Sequence, residues 1–408
     1  MQGIGIRQAR IFLAVADSLS VTRAAKSLNR SQTSVTKSIH DLEYQLGVEL
    51  FDRSSKGVTL TAYGECLFPR AREAAEAFAM ARELVAPASM QQSSSTARFF
   101  RMDVSDKWLD AFLATVEHQN IASAAEHMGL TPAAISSSLR KLEDTLHTVL
   151  FERTPNAMIP SAFGQSLARY VKLARSYLRS ACDELAGLQG VKRGHIVVGT
   201  LPFVRTIIVP RAITRLLDEH PYLDVSTMEG AYDDLIAALR CGDIDLVVGA
   251  LRRQAADADL LEEAVLDDNL AAIVRAGHPL VGQNGLTWEA LLAYPWILPR
   301  TGTPTRTMFE RVLSGRGLAV PTHVIETSSL VMLRGLLLES DRITVVSPHQ
   351  VRFEIRAGSL ATLPFDVGKT DRPIGITRRR NGSLSPAAEL LAEEIRKAGR
   401  EFSHEQDQ

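Results

Sequence analysis

The fold of this chain is decided by a thirty-residue pattern that occurs twice: AAKSLNRSQTSVTKSIHDLEYQLGVELFDR at residues 24–53 and AAEHMGLTPAAISSSLRKLEDTLHTVLFER at residues 124–153. The copies are offset by 100 residues without a gap, and the match extends from Phe12 and Phe112 to Gly64 and Gly164. Agreement at apolar positions over this length indicates two copies of one fold rather than an array of short repeats.

Each copy has the periodicity of a helix-turn-helix. The apolar residues of its second helix lie four, three and four apart in copy one, at Val35, Ile39, Leu42 and Leu46. This spacing buries one stripe of the helix and turns polar residues outward. A short alanine-containing helix precedes it, Ser31 is suited to cap it, and a β-branched stretch with a glycine follows Arg53. The order predicts a winged helix-turn-helix in each copy.

The whole sequence predicts a multidomain protein. It begins with two α-rich winged helix-turn-helix domains with long linker helices and continues with a two-lobed α/β domain. A polar stretch between the copies predicts a flexible tether, and strands alternating with helices from His195 onward predict parallel sheets. The predicted segments are copy one at 1–64, linker helix one at 65–86, a tether at 87–102, copy two at 103–164, linker helix two at 165–190, and the α/β domain at 193–408, with lobe one at about 193–267 and 365–400 and lobe two at about 268–360.

Composition indicates a globular protein, and the charge balance differs between its two halves in the direction expected if only the first half contacts nucleic acid. The 408 residues are 45% hydrophobic and 23% charged, which is ordinary for folded domains. Lys and Arg outnumber Asp and Glu by 11 to 9 in residues 1–92 and by 11 to 10 in residues 98–192, whereas the remainder is acidic at 24 to 28. The sequence shows neither a secretion signal nor a membrane span, so a cytoplasmic location is expected.

The residues from Phe12 to Gly64, followed by a long helix and by HIVVGT, VPRAITRLLDEHPYLDVSTMEG and LIAALRCGDIDLVVGA, resemble a LysR-type transcriptional regulator. The resemblance implies a winged helix-turn-helix, a linker helix that dimerises and a two-lobed effector domain similar to periplasmic binding proteins. PWILPRTGTPTR and ETSSLVMLRGLLLESDRITVVSPHQV are similar to the galactose-binding-protein regulator subgroup. The duplication departs from the family pattern of one winged domain per chain.

The outward residues of the second helix in copy one are predicted to contact DNA. Gln32 can pair with adenine, Lys37 can reach guanine or phosphate, and Thr33 can touch a base edge or a thymine methyl group. Arg53 and Lys56 are placed for the phosphate backbone. The predicted set is Ser31, Gln32, Thr33, Thr36, Lys37, His40, Arg53 and Lys56.

Copy two carries a weaker DNA-binding pattern. Pro132 and Ser137 replace Gln32 and Lys37, and its wing stretch TPNAMIP has no cation. The remaining candidates are Thr131, Ser136, Ser137, Arg140 and Arg153. This face would either hold phosphates or be purely structural. The two linker helices could pair within one chain as an internal pseudo-dimer, or helix two could form an ordinary intermolecular dimer.

The α/β half is predicted to bind a small-molecule effector beyond the carboxyl ends of its strands, where helix N-termini present amide groups. The expected ligand is a sugar, a sugar acid or another carboxylate. The candidate residues are Thr200, Arg300, Thr303, Arg306, Thr327, Ser328, Ser329 and Ser347.

No catalytic or metal site is predicted, because the chain lacks a paired-ligand, phosphate-loop or nucleophile-elbow pattern, and no cofactor is expected. The resulting interpretation is a ligand-responsive regulator that binds double-stranded DNA as a homo-oligomer, either a dimer or a tetramer, without membrane contact. The alternatives are a solute-binding protein without gene control and an enzyme built on the α/β half.

Overall fold

The N-terminal half contains two modules with the same order of elements in the computed structural model, which describes residues 3–54, 57–85, 93–154, 157–190, 194–252 and 258–406. Module one comprises α1 (Ile6–Ser18), α2 (Val21–Leu28), α3 (Gln32–Leu46), β1 (Phe51–Ser54), β2 (Gly57–Leu60) and α4 (Ala62–Val85). After α5 (Ser94–Phe100), module two comprises α6 (Asp106–His118), α7 (Ile121–Met128), α8 (Pro132–Leu146), β3 (Phe151–Arg153), β4 (Met158–Pro160) and α9 (Ala162–Leu188).

The two modules repeat each other in the details that determine their fold. The buried, half-buried and exposed positions of residues 31–50 recur at 131–150 without a difference. Glu43 accepts a hydrogen bond from the Leu50 amide (2.9 Å), and Glu143 does the same for Leu150 (2.8 Å). These bonds satisfy backbone amides at the start of the hairpin that follows α3 or α8, which gives the glutamate of each copy the same structural role.

The long helices α4 and α9 pack against each other in antiparallel orientation. Arg70, near the start of α4, donates to Glu184, near the end of α9, with Nε 2.7 Å from Oε1. Buried residues from both modules, such as Leu67 and Phe78 of α4 and Leu178 of α9, belong to one hydrophobic core. At another contact between the modules, the Ile6 amide donates to the Asp106 carboxylate (2.9 Å). The N-terminal half is therefore one packed unit.

The prediction of a flexible tether is wrong for its second part. Residues 86–92 lie outside the described residues, but Ser94–Phe100 form helix α5, with Phe99 and Phe100 buried. The Phe99 ring lies 5.6 Å from the Phe78 ring of α4, and Thr96 donates to the Thr145 carbonyl of α8 (3.2 Å). Two aromatic side chains bury enough apolar surface to order this segment, although its polar residues had suggested a tether.

The C-terminal half consists of two lobes, each built on a five-stranded sheet. Lobe one begins with β5 (Gly194–Thr200), α10 (Ile208–Glu219), β6 (Leu223–Glu229), α11 (Tyr232–Cys241), β7 (Leu246–Ala250) and β8 (Leu260–Asp268). Lobe two comprises β9 (Ala271–Arg275), α12 (Trp288–Leu292), β10 (Trp296–Leu298), α13 (Pro304–Ser314), β11 (Val324–Glu326), α14 (Leu330–Leu338), β12 (Ile343–Val346), α15 (Arg352–Arg356) and β13 (Leu360–Thr362). The chain then returns to lobe one with β14 (Arg372–Arg379) and α16 (Pro386–Gln406).

Both sheets are mixed, which corrects the expectation of parallel sheets. The strand order is β6-β5-β7-β14-β8 in lobe one and β11-β10-β12-β9-β13 in lobe two. The pairs predicted from strand–helix alternation, such as β5 with β7 and β10 with β12, are parallel. In contrast, β14 runs antiparallel to β7 and β8, and β9 runs antiparallel to β12 and β13. These antiparallel strands border the two crossings between the lobes.

Candidate nucleic-acid interface and ligand cleft

Helix α3 presents the predicted polar face of module one to solvent. Its N-cap is Ser31, whose hydroxyl accepts a hydrogen bond from the Ser34 amide (3.2 Å), and the buried stripe of Val35, Ile39, Leu42 and Leu46 anchors the opposite face. The structure places Ser31, Gln32, Thr33, Lys37 and His40 at exposed positions, with Thr36 half-buried. Their shared exposure leaves one continuous helix face available for a partner.

The wing of module one is the β1–β2 hairpin, in which Arg53 pairs with Val58. Lys56 lies outside the described residues. The sequence reasoning missed two exposed cations on α2, Arg23 and Lys26. In helix-turn-helix complexes the first helix crosses the phosphate backbone. The two cations on α2 could therefore have been predicted from the sequence as candidate phosphate contacts.

The corresponding face of α8 in module two is equally exposed but chemically different. Thr131 caps the helix by accepting from the Ala134 amide (3.3 Å), Ser137 and Arg140 are exposed, and Ser136 is half-buried. Arg153 pairs with Met158 in the β3–β4 hairpin. At the positions of Arg23, Lys26 and Lys37, module two has the uncharged or acidic residues Ser123, Glu126 and Ser137.

A cleft of about 430 Å³ lies between the two lobes and collects five of the eight predicted effector residues. These are Arg300, Thr303, Thr327, Ser328 and Ser329. They lie at the N-terminal ends of α13 and α14, where Thr303 and Ser329 are the helix caps. Two helix N-termini that point into one cleft favour an anionic or hydroxylated ligand.

The three remaining predicted residues have partners elsewhere and do not line this cleft. The Thr200 hydroxyl accepts from Arg205 Nε (3.2 Å). Arg306 is buried and pairs with Glu310 (2.6 Å) and Glu326 (3.3 Å). Ser347 is fully buried and donates to Asp268 (2.7 Å).

Several residues of the cleft were missed by the sequence reasoning. Arg252 stacks over the Tyr232 ring, with its guanidinium carbon 3.8 Å from the ring centroid, and pairs with Asp233 (3.3 Å). Phe203, Leu330 and further residues provide an apolar wall. The position of this arginine two residues after β7 gave little basis for predicting it as a ligand contact, because only the folded topology brings it into the same cleft as α13.

One lining residue of the cleft, Arg372, forms an ion pair at the crossing between the lobes. Arg372, the first residue of β14, donates to Asp268, the last residue of β8, with Nε and Oδ2 2.8 Å apart. Arg372 also donates to the Thr305 hydroxyl of α13 at 2.5 Å. Because Arg372 belongs to lobe one and Thr305 to lobe two, this side chain contacts both sides of the cleft.

Within the residues that the structure describes, no group of three or more His, Cys, Asp or Glu side chains could hold a metal ion. No helix in the same ranges has the length and apolar character needed to span a membrane.

Comparisons with known proteins identify the families of the domains that carry these two surfaces. Residues 6–65 and 107–165 match the bacterial regulatory helix-turn-helix protein family of lysR type, and residues 189–400 match the LysR substrate binding domain. The chain is similar to the transcriptional regulator GalR of Pseudomonas putida, with 35% identity over 391 residues that cover 96% of each chain.

Solved structures show the same fold. A full-length OxyR variant from Pseudomonas aeruginosa has 23% identity and a TM-score of 0.55, and the match covers 72% of this chain and 95% of OxyR. Full-length CbnR in complex with its target DNA has 20% identity and a TM-score of 0.53, with 72% of this chain and 100% of CbnR covered. The chain therefore belongs to the LysR family of bacterial transcriptional regulators, which are DNA-binding proteins with a ligand-binding domain and not enzymes.

Proposed function

We propose that the chain recognises its operator mainly through α3 of module one. The observation that carries this proposal is the exposed polar face of α3, with Lys37 at its centre and Arg23 and Lys26 on the adjacent helix. Gln32 and Lys37 suit base edges, whereas Arg23 and Lys26 suit phosphates. Selection of duplexes from random oligonucleotides tests it. A defined consensus is expected, and failure to enrich any sequence would contradict the proposal.

The second part of the proposal is that the two modules are a tandem duplication that acts as an internal pseudo-dimer. It is supported by the antiparallel packing of α4 and α9 within one chain and by the alignment with GalR, which covers 96% of both chains and so leaves no room to omit a module. Module two, including Arg140 and Arg153, would then hold phosphates beside the half-site that module one reads. The competing arrangement is an intermolecular dimer through α9.

We further propose a small carboxylate as the effector. Within the described residues Arg300 is exposed and forms no ion pair, and the N-termini of α13 and α14 lie beside it. The apolar wall with Phe203 and Leu330 favours a carboxylate with an apolar body or a sugar acid over an uncharged sugar. Thermal-shift screening of carboxylates and the matching neutral compounds tests this. The bound compound should be recovered unchanged, because turnover would indicate an enzyme.

Association between chains is proposed to involve the effector-binding domain. Val331 and Met332 of α14 are 78% and 56% exposed, and Phe353 of α15 is 56% exposed. Large apolar side chains exposed together mark interaction surfaces. Light scattering should report a dimer or tetramer, and Val331→Asp should shift it toward the monomer. As a regulator of chromosomal genes the protein would act in the cytoplasm.

A further inference from the structure

The loop between β14 and α16, residues 380–385, is held by Arg70 of α4. Arg70 is 4% exposed and donates from Nη1 to the Ser383 carbonyl (2.8 Å) and from Nη2 to the Leu384 carbonyl (2.9 Å). The same guanidinium donates from Nε to Glu184 (2.7 Å) and from Nη1 to Glu73 (3.0 Å). One side chain therefore joins linker helix one, linker helix two and lobe one.

This contact needs the shape of arginine. The planar guanidinium offers five donors in a fixed fork, which can serve two carboxylates and two carbonyls at once, whereas a lysine has three donors on one nitrogen. The position that matches Arg70 in α9 is Tyr170. The contact is consequently specific to the linker helix of module one.

Neighbouring residues hold the same loop from both long helices. Glu73 of α4 accepts a hydrogen bond from the Ser383 amide (3.2 Å), and the Tyr177 hydroxyl of α9 donates to the Asn381 carbonyl (3.2 Å). Gly382 has a φ of 89°, and a Cβ there would lie 2.6 Å from the Tyr177 ring. The loop is thus fitted closely between α4 and α9.

The strand that leads into this loop begins in the effector cleft. Arg372 at the start of β14 lines the cleft and contacts Asp268 and Thr305. The eight residues of β14 span about 25 Å at the usual rise per residue, and its neighbours β7 and β8 keep it rigid within the sheet. A shift of Arg372 on closure of the lobes would be carried along this strand to residues 380–385.

We propose that Arg70 is a positioning residue that couples the operator-bound state of module one to the effector cleft through loop 380–385 and β14. The proposal rests on the proposed function, since it assumes that module one binds DNA. Coupling between two sites is reciprocal, so DNA alone can serve as the probe while the effector is unidentified.

The test measures hydrogen exchange of the full chain with and without a duplex recovered by selection. In the wild type, the duplex should change exchange in residues 372–385 by about fivefold or more. In Arg70→Met the duplex should still bind with affinity within about threefold of the wild type, but the change in residues 372–385 should be lost. Arg72→Met is the matched control, because Arg72 lies on the same helix and pairs with Asp17 of module one (2.5 Å) instead of with lobe one.

The coupling would be overturned if Arg70→Met showed the full change in hydrogen exchange in residues 372–385. It would also be overturned if Arg72→Met lost that change as well. If Arg70→Met does not fold, Glu73→Gln weakens the Ser383 contact while it keeps the buried arginine, and it should reduce the change in the same peptides. A wild type that binds duplex without any change in residues 372–385 contradicts the coupling alone. A wild type that captures no duplex contradicts the proposed function instead.

Discussion

Lys37 is the exposed cation at the centre of the α3 surface, and its counterpart in module two is Ser137. Lys37→Ala is expected to weaken operator binding by about 1–3 kcal/mol if the amine contacts a base, or to lower the slope of affinity against salt by about one if it contacts a phosphate. Titration of a labelled duplex at several salt concentrations distinguishes these cases. Ser137→Ala is the matched control, and unchanged binding by Lys37→Ala would remove this residue from the interface.

Asp183 of α9 should contribute a pH dependence to stability. Burial raises the pKa of its carboxyl to about 6, against the opposing effect of Arg179 and with reinforcement from Asp245. In the unfolded chain this group titrates near pH 4. Between about pH 4 and 6 the folded protein therefore holds a proton that the unfolded chain has released, and this contribution to stability is lost as the pH rises through 6.

Asp183→Asn should consequently raise the free energy of unfolding at about pH 7.5 by about 1 kcal/mol, with little effect near pH 4, since partial exposure screens the charge. Urea unfolding of both proteins at the two pH values measures this. Asp144→Asn, at an exposed position, should change neither value. An equal gain at both pH values would show that the carboxyl charge is not the cause.

At the residue scale, local patterns predicted more of the exposed polar face of α3 than of the cleft. The cap Ser31 and the outward direction of Lys37 follow from helical periodicity within fifteen residues of α3. Ser347 also follows a strand and caps a helical turn, yet it is turned toward Asp268 instead of the cleft. Its direction depends on the chain crossing between the lobes, which joins residues 79 positions apart and has no local signature.

Helix α5 was not predicted, because the polar residues of its sequence were given more weight than its two phenylalanines. The stretch SSTARFF contains small polar residues typical of linkers, but Phe99 and Phe100 are 0% and 5% exposed. Phe99 packs against Phe78 of α4, and Thr96 of the same helix contacts Thr145 of α8. Both partners are distant in sequence from α5. Helices α2, α3 and α9 were predictable because their own periodicity defines a buried face.

Phe99→Ala is expected to lower the free energy of unfolding by about 3–5 kcal/mol, because it leaves a cavity beside Phe78 in a closely packed core. Chemical denaturation followed by circular dichroism measures the loss. Ser94→Ala, an exposed substitution on the same helix, should have an effect of less than about 0.5 kcal/mol. A similarly small effect of Phe99→Ala would mean that the segment behaves as a tether in solution.

At the scale of the whole molecule, the order of domains was predictable and their packing was not. The repeated pattern and the alternation of strands and helices gave the two modules and the two lobes. The sheet of lobe one is mixed because β14 returns to it after lobe two is complete, and the sheet of lobe two is mixed because β9 runs antiparallel to its neighbours. Neither strand direction can be predicted from the strand's own residues. The contact of α4 with lobe one through Arg70 likewise depends on how complete domains meet.

If both modules contact DNA as proposed, packing of α4 against α9 holds two chemically different surfaces within one chain, so the operator should be asymmetric. Module one presents Arg23, Lys26 and Lys37, whereas module two presents Ser123, Glu126 and Ser137 at the same positions. Base changes in the half-site under module one should each cost about 1–3 kcal/mol, while changes under module two should cost distinctly less, because contacts to phosphates carry little sequence information.

Hydroxyl-radical footprinting with a library of single-base variants measures both half-sites, and light scattering of the complex counts the chains. One chain for each pair of half-sites is expected, since both surfaces belong to one packed unit. Swapping the two half-sites should turn the footprint around without changing its strength. Two chains required for one pair of half-sites, or equal costs in both, would instead favour an ordinary dimer formed through α9 of separate chains.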